Sequence, residues 1–185
     1  MLVRVLGAVV VVLALGGCGS AVTPPPVAPP NPFPARPMSI DLSGVDLCAT
    51  LTDEQKRVRA IDDEFENTAE VAGKPSPGCL WGSSRTQIGY TVQIIEAPAT
   101  VAWTPGESRL VVIDGYGAVR APDDVDNSPG RDPFCQLPLD VSDNQTVRVQ
   151  VTGSPDADGG DPAAVEAACD RAVGFARDVL GNLRR

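Results

Sequence analysis

The first 39 residues constrain the fold most, because their composition predicts a targeting segment and a tether rather than part of a packed core. Val5 to Leu15 is an unbroken apolar run that follows the single basic residue Arg4. As a helix, these eleven residues would rise only about 16 Å, against roughly 30 Å for the hydrocarbon core of a bilayer. The run is therefore too short for a stable membrane span and is typical of a signal peptide.

The apolar run ends at Leu15-Gly16-Gly17-Cys18, the arrangement at which bacterial lipoproteins are processed. A thiol is the nucleophile that takes a diacylglyceryl group, and small residues before it let a peptidase reach the bond. Two or more acyl chains then anchor a protein stably where one would be marginal. The sequence predicts a signal peptide over residues 1–17 and lipidation of Cys18. We expect the mature chain on the extracytoplasmic face of the cell membrane, anchored by lipid.

Residues 18–39 are predicted to be a tether between the lipid and the domain. The stretch is dense in proline: Pro24, Pro25, Pro26, Pro29, Pro30, Pro32, Pro34 and Pro37. Proline fixes φ and removes a backbone donor, so such a run favours polyproline II at about 3.1 Å per residue. Residues 40–185 then remain for one extracytoplasmic domain of ordinary size.

The charge balance and the missing histidine exclude several classes of function. Without Arg4, 14 basic residues stand against 24 acidic ones, so binding to nucleic acid by charge is not expected. The chain contains no histidine, which removes Ser-His-Asp and Cys-His catalysis and most zinc chemistry. Phosphate-binding and nucleophile-elbow motifs are absent from the sequence as well. We predict no metal, no cofactor and no enzymatic activity.

Four cysteines remain once Cys18 carries lipid: Cys48, Cys79, Cys135 and Cys169. An even number in an exported chain implies two disulfides, and four cysteines allow three pairings. We favour Cys48–Cys79 and Cys135–Cys169, because each of these pairs joins a helical segment to a strand candidate nearby in sequence.

Two helices are predicted at opposite ends of the domain. Thr52 and Gln55 form a capping box that opens a short helix from Asp53 to about Ala60. Asp161 and Pro162 are an N-cap and a first-turn proline that open a long helix to about Leu183. Its predicted buried stripe has helical spacing and consists of Val165, Cys169, Ala172, Val173, Ala176, Val179, Leu180 and Leu183.

Strands are predicted between these helices, from apolar alternation in two segments and from the turn residues Asp114 and Gly115 between two others. The predicted strands are Cys79–Trp81 onward, Gln87–Glu96, Arg109–Ile113, Gly117–Ala121, Phe134–Leu139 and Thr146–Thr152. Residues 73–78 and 122–133 are predicted to be loops from their Gly and Pro content. The order of helix, strands and helix indicates an α+β fold, with an antiparallel sheet and both helices on one face.

These residues resemble an actinobacterial lipoprotein family known as domain of unknown function 3558. The resemblance covers nearly the whole chain and rests on the lipobox and the proline-rich stretch, followed by a set of short motifs. These motifs are Ile40 to Asp46 leading into Cys48, Leu51-Thr52, Gly78-Cys79-Leu80-Trp81, Gly115-Tyr116-Gly117-Ala118, and Cys135 and Cys169 with Ala172. The resemblance implies a secreted α+β domain with disulfides. It supplies no catalytic residues, because the family has none assigned.

Few side chains suggest a functional site. Asp156, Asp158 and Asp161 are spaced like a loose calcium loop, and Asp123, Asp124 and Asp126 like a cation patch, but solvated loops explain both groups. Asp62, Asp63, Glu64 and Glu66 are interpreted as exposed acids rather than a glycosidase pair. Trp81 is expected in the core beside Cys79. Trp103 is the candidate partner contact, because it lies in a loop between two prolines where an exposed aromatic can anchor a glycan or a protein.

The function expected from the sequence is a non-enzymatic binding or sensing module of the cell envelope. Its partner would be an envelope protein, a glycan or a small ligand. The alternatives are a structural or accessory subunit of an envelope complex, a lipid carrier and an unrecognised hydrolase. A deep apolar cavity would favour a carrier, a flat apolar patch a protein partner, and clustered carboxylates in a cleft an enzyme.

Overall fold

The computed structural model of the chain describes residues 31–120 and 127–185. Cys18, the predicted signal peptide and the first part of the predicted tether lie outside these residues, as do Asp123, Asp124 and Asp126. Within the two described ranges, neither helix combines the length and the apolar character needed to cross a bilayer.

Seven strands of the described chain form one antiparallel sheet in the order β1-β2-β3-β7-β6-β5-β4. Their bounds are β1 Asp63–Val71, β2 Lys74–Gly82, β3 Gly89–Ile95, β4 Arg109–Ile113, β5 Tyr116–Arg120, β6 Phe134–Asp140 and β7 Thr146–Thr152. β7 is central, because it pairs with β3 on one side and with β6 on the other. It thereby joins β1, β2 and β3 to β6, β5 and β4.

The two predicted helices are present. α1 (Asp53–Val58) begins with the predicted capping box, in which Thr52 and Gln55 bond to each other's backbone. It ends before the predicted Ala60, which has a left-handed φ of 57°. α2 (Pro162–Leu183) begins at the predicted cap, where the Asp161 side chain accepts from the Ala163 amide.

α2 covers one face of the sheet, which we call the helix face. Val147, Val149 and Val151 of β7 point to this face and are fully buried, as their alternation predicts. Phe175 of α2 lies at the centre of the core, with its ring 5.8 Å from that of Trp81 and 5.3 Å from that of Tyr90, both edge to face. The predicted stripe of α2 omitted Phe175, although it is fully buried.

Two disulfides join the elements of the helix face. Cys48, in a 3-10 turn before α1, bonds to Cys79 of β2, and Cys135 of β6 bonds to Cys169 of α2. This is the pairing favoured from the sequence. Together with the antiparallel sheet and the long C-terminal helix, it confirms the predicted α+β fold with two disulfides.

The prediction was wrong for the first two strands. Residues 63–71, for which no strand was predicted, form β1, and residues 74–78, predicted to be a loop, belong to β2. β1 is an edge strand exposed along most of its length, so it shows no apolar alternation. Pro75 and Pro77 lie in the half of β2 that pairs only with β1, because β3 pairs with β2 from Gly78 onward. Strand prolines are tolerated where one side has no partner.

The segment before Ile40 already contacts the sheet. Phe33 is buried and packs so closely on Gly117 of β5 that a Cβ there would lie 2.5 Å from its ring. Pro37 similarly covers Gly115. The last part of the predicted tether, residues 33–37, therefore lies on the domain, and the compact unit begins at Asn31.

Candidate functional site

A pocket of about 440 Å³ lies on the side of the sheet away from α2, which we call the far face. It is bounded by the tip of the β1–β2 hairpin and by the 3-10 helix Ala99–Ala102 that follows β3. The residues of this far-face pocket are Val71, Ala72, Lys74, Ile95, Glu96, Ala97, Pro98, Ala99, Val101, Ala102, Gln136, Pro138, Thr146 and Arg148. Mostly apolar walls and this volume are typical of small-molecule sites.

The wall formed by the 3-10 helix is held in place by packing and by one hydrogen bond. Ala99 is buried with Phe33 and Val119 in a small cluster, the Phe33 cluster, against which Trp103 packs. The Thr146 hydroxyl donates to the Ala97 carbonyl at 2.7 Å. These contacts attach the wall to β5 and β7, so the pocket is part of the folded domain and needs no ligand to shape it.

The floor of the pocket is built from the polar positions of the central strands. Arg148 of β7 lies opposite Gln93 of β3 and Pro138 of β6. Its guanidinium donates to the Gln93 side-chain oxygen, and the Gln93 amide donates in turn to the Ser76 carbonyl at 3.2 Å. The cross-strand neighbours of Arg148 are therefore an amide and a proline, neither of which carries a charge.

The cation of Arg148 is partly buried and has no anionic partner among the described residues. Burial lowers its pKa from the ordinary value, although a guanidinium remains protonated at any physiological pH. Its Nε atom is inaccessible and has no hydrogen-bond partner among the described residues. No carboxylate of residues 31–120 or 127–185 forms a salt bridge with it. A partly buried charge without a counter-ion lowers the stability of the fold.

The rim of the pocket carries one charge of each sign. Lys74 donates to the Glu96 carbonyl at 3.3 Å, and the Glu96 carboxylate accepts from the Gln145 amide at 2.8 Å. The partner of Lys74 in this bond is a neutral carbonyl and not a carboxylate. The Glu96 carboxylate has a polar partner outside the pocket lining.

The predicted disulfide residues lie away from the pocket. Cys79 and Cys135 point to the helix face, since they share it with Val92 and Val151, their partners across the strands. Cys18, the predicted lipidation site, lies outside the described residues. The bridges hold the domain together and contribute nothing to the lining of the pocket.

The two tryptophans lie in different environments. Trp81 is only 1% exposed, as expected, and its indole N–H donates to the Glu64 carboxylate at 2.5 Å. Trp103 is half-buried against the Phe33 cluster. It follows the 3-10 helix that walls the pocket but does not itself line it. Its role as a partner contact stays a prediction.

Four of the acidic residues singled out from the sequence bond to other groups of the chain. Asp158 accepts from the amides of Gly130 and Gly160, at 3.0 and 2.8 Å, and Asp161 caps α2. Glu64 pairs with Lys56 at 2.6 Å, a contact that lowers the pKa of Glu64. Asp62 bonds to Ser84, which lowers the pKa of Asp62. In the described part of the chain, no three acidic, Cys or His residues converge in a way that could hold a metal.

Arg148 was missed by the sequence reasoning, and so was the pocket. The strand pattern assigned Arg148 correctly to the face opposite Val147 and Val149. No local signal could have found it, because its surroundings depend on which strands pair with β7.

No curated protein and no solved structure matches this chain. A family model described as "Protein of unknown function (DUF3558)" matches residues 13–182, nearly the whole sequence. The chain therefore belongs to the DUF3558 family.

Proposed function

We propose that this chain is a lipid-anchored, extracytoplasmic and non-enzymatic module that binds a small ligand in the far-face pocket. The observation that carries the proposal is the pocket itself, about 440 Å³ with mostly apolar walls on a rigid sheet. A preformed apolar concavity with a few polar groups is the usual form of a small-molecule site. The two disulfides support an oxidising compartment outside the cytoplasm.

Binding is favoured over catalysis by what the acidic side chains do. Asp62, Glu64 and Asp158 each bond to an amide, a hydroxyl or an ammonium group of the chain. None of them lines the far-face pocket, whose acidic lining residue, Glu96, accepts from the Gln145 amide and has no second carboxylate beside it in the described lining. A general acid and base would have to face the ligand within hydrogen-bond reach.

A second candidate function, the accessory subunit of an envelope complex, is favoured by the edge strand β4. Leu110 and Val112 are 40% and 59% exposed on the far face of this strand. An edge strand with exposed apolar side chains can pair with a strand of another chain. This surface rests on two side chains of one strand, so we rank it second.

Anchoring can be tested through Cys18. Replacing the thiol removes the nucleophile that would take the diacylglyceryl group, so Cys18→Ala is expected to abolish incorporation of labelled palmitate and to release the protein or leave it unprocessed. Cys48→Ala is the matched control, because it removes a cysteine of the domain and should keep the label. A Cys18→Ala protein that is still labelled and processed at the same site would contradict the lipid anchor.

Ligand binding can be tested with a neutral apolar dye. The mature chain with Cys18→Ser, which retains every residue of the pocket and both disulfides, is titrated with N-phenyl-1-naphthylamine. We expect saturable fluorescence at one dye per chain. Ala97→Phe and Ala102→Phe, which fill the pocket, should each weaken dye binding at least fivefold, while thermal melts check that the variants fold.

The control is Ala69→Phe, which adds the same bulk to β1 outside the pocket lining. Its dye affinity should equal that of the parent chain. No saturable binding to the parent, or equal loss in all three variants, would contradict a ligand site in the far-face pocket.

A further inference from the structure

The charge distribution on the floor of the far-face pocket restricts the class of ligand. Arg148 brings a positive charge into the pocket, and its neighbours there are neutral: Gln93 and Pro138 across the strands, and Gln136 and Thr146 in the lining. Within the described residues its side chain makes one hydrogen bond to another side chain, to the Gln93 oxygen, and no ion pair.

Arg59 is a second partly buried arginine of this fold, and it has an anionic partner. Its side chain is 15% exposed and pairs with Asp178 at 2.5 Å, and its guanidinium lies 5.8 Å from the Tyr90 ring centroid. Arg120, also buried, pairs with Glu166 at 2.7 Å. Arg148 lacks such an anion inside the described domain, so an anion from outside the chain would complete its environment.

The rim of the pocket agrees with this reading. The Lys74 ammonium adds a second positive charge beside the opening, where its bond is to the neutral Glu96 carbonyl. The carboxylate of Glu96, the acidic group of the lining, accepts from the Gln145 amide. An anion in the pocket therefore has two cationic lining residues, Lys74 and Arg148, against one carboxylate among the described residues.

We infer, building on the proposed function, that the far-face pocket takes a small amphipathic anion. Its single oxyanion head, a carboxylate or a phosphate monoester, binds the Arg148 guanidinium, and its apolar body lies against Ile95, Pro98 and Val101. A guanidinium offers parallel N–H donors that match both oxyanions. The apolar walls lower the local dielectric and strengthen that contact relative to water. The volume of about 440 Å³ suits one alkyl chain or ring system.

The experiment compares three competitors that differ only in the head group. Decanol, decanoate and decyl phosphate, all below their micelle concentrations, displace N-phenyl-1-naphthylamine from the mature Cys18→Ser chain. We expect decanoate or decyl phosphate to bind at least tenfold more tightly than decanol. The tighter of the two anions assigns the head group to a carboxylic acid or to a phosphate ester such as a lipid headgroup carries.

Arg148→Met and Arg148→Lys test the residue. Arg148→Met should bring the anions to within about twofold of decanol while leaving decanol affinity unchanged, and Arg148→Lys should retain part of the preference. Arg109→Met, which removes an exposed arginine of β4, is the matched control and should behave like the parent.

The outcomes separate the two proposals. If the dye binds but the anions bind no better than decanol, or if the preference survives Arg148→Met in a folded variant, the inference of an anionic ligand is wrong and the pocket remains a ligand site. If the dye does not bind the parent chain, the proposed function and this inference fail together.

Discussion

Arg148 and Arg59 both place a guanidinium in an enclosed site, yet they differ in what surrounds them. Arg59 has Asp178 at 2.5 Å and two aromatic rings within 6 Å. Arg148 has the side-chain oxygen of Gln93 and, within the described residues, no carboxylate. A charge that is desolvated without a counter-ion lowers the stability of the fold, whereas a paired charge changes the stability little.

This difference predicts opposite effects of the same substitution. Arg148→Met keeps an apolar stem and removes an uncompensated charge, so the free energy of unfolding should rise by about 1 kcal/mol. Arg59→Met leaves Asp178 without its partner and removes the cation–π contacts, which should lower it by about 1–3 kcal/mol. Urea melts measure both. An equal loss of unfolding free energy in the two variants would mean that Arg148 has sufficient partners within the fold and needs no external anion.

The two tryptophans give a second residue-scale prediction. Trp81→Ala opens a cavity beside Phe175 and should cost roughly 3–5 kcal/mol of stability. Trp103→Ala removes a ring that is only half-buried against the Phe33 cluster, so its cost should be about 1–2 kcal/mol. Denaturant melts of the two variants compare them directly.

Ligand affinity separates the roles of these rings further. Trp103 packs against the cluster that holds the 3-10 helix. Trp103→Ala should therefore weaken dye binding although its loss of stability is small. A stability loss equal to that of Trp81→Ala would make Trp103 a core residue and remove it as a candidate contact.

The hairpin between β4 and β5 shows how an element depends on the segment before the domain. Asp114 and Gly115 have φ values of 50° and 87°, as a two-residue turn with the twist of the strands requires. A Cβ on Gly115 would lie 2.6 Å from the Pro37 ring. Gly106 has a similar φ of 84°, but a Cβ there meets nothing within 4 Å.

Gly115→Ala and Gly106→Ala therefore form a matched pair. Both force an alanine into the left-handed region, which should cost about 1 kcal/mol in each. Gly115→Ala must also displace Pro37, so it should cost at least about 1 kcal/mol more and should loosen the contact of residues 33–37 with β5. Thermal melts and limited proteolysis before Ile40 measure the two effects. Equal losses would mean that Pro37 moves freely away from the hairpin.

At the scale of the whole molecule, both disulfides act on the helix face and leave the far face alone. The bridges close loops of 31 and 34 residues, so the chain-entropy model gives roughly 3.5–4 kcal/mol for each. One joins the N-terminal 3-10 turn to β2, and the other joins α2 to β6. Their removal should therefore lower the melting temperature without changing the shape of the pocket.

The paired substitutions Cys48→Ala with Cys79→Ala, and Cys135→Ala with Cys169→Ala, test this separation. Each pair should lower the free energy of unfolding by about 2–5 kcal/mol. Dye affinity, measured well below the melting temperature, should remain within about twofold of the parent chain. A folded variant that loses dye binding would show that a bridge shapes the far face through the sheet.

Local chemistry determined much of this fold. The bounds of β7 follow from alternation, the β4–β5 turn from Asp114 and Gly115, and the start of α2 from Asp161 and Pro162. In each case the signal lies within a few residues of the element, so it can be read from the sequence. The pairing of the two disulfides was favoured from the same element assignments, because each bridge joins a helical segment to a strand that is near it in the sequence.

Only the tertiary structure decided the strand β1 and the far-face pocket. β1 forms because β2 offers it a partner, and its own exposed residues carry no pattern that predicts a strand. The pocket brings together the hairpin tip, the segment after β3 and two strands some 40–75 residues further on. Whether Arg148 is a solvated cation or an enclosed one depends on which strands flank β7 and what their side chains carry. That information lies in long-range pairing, and no window of the sequence around Arg148 contains it.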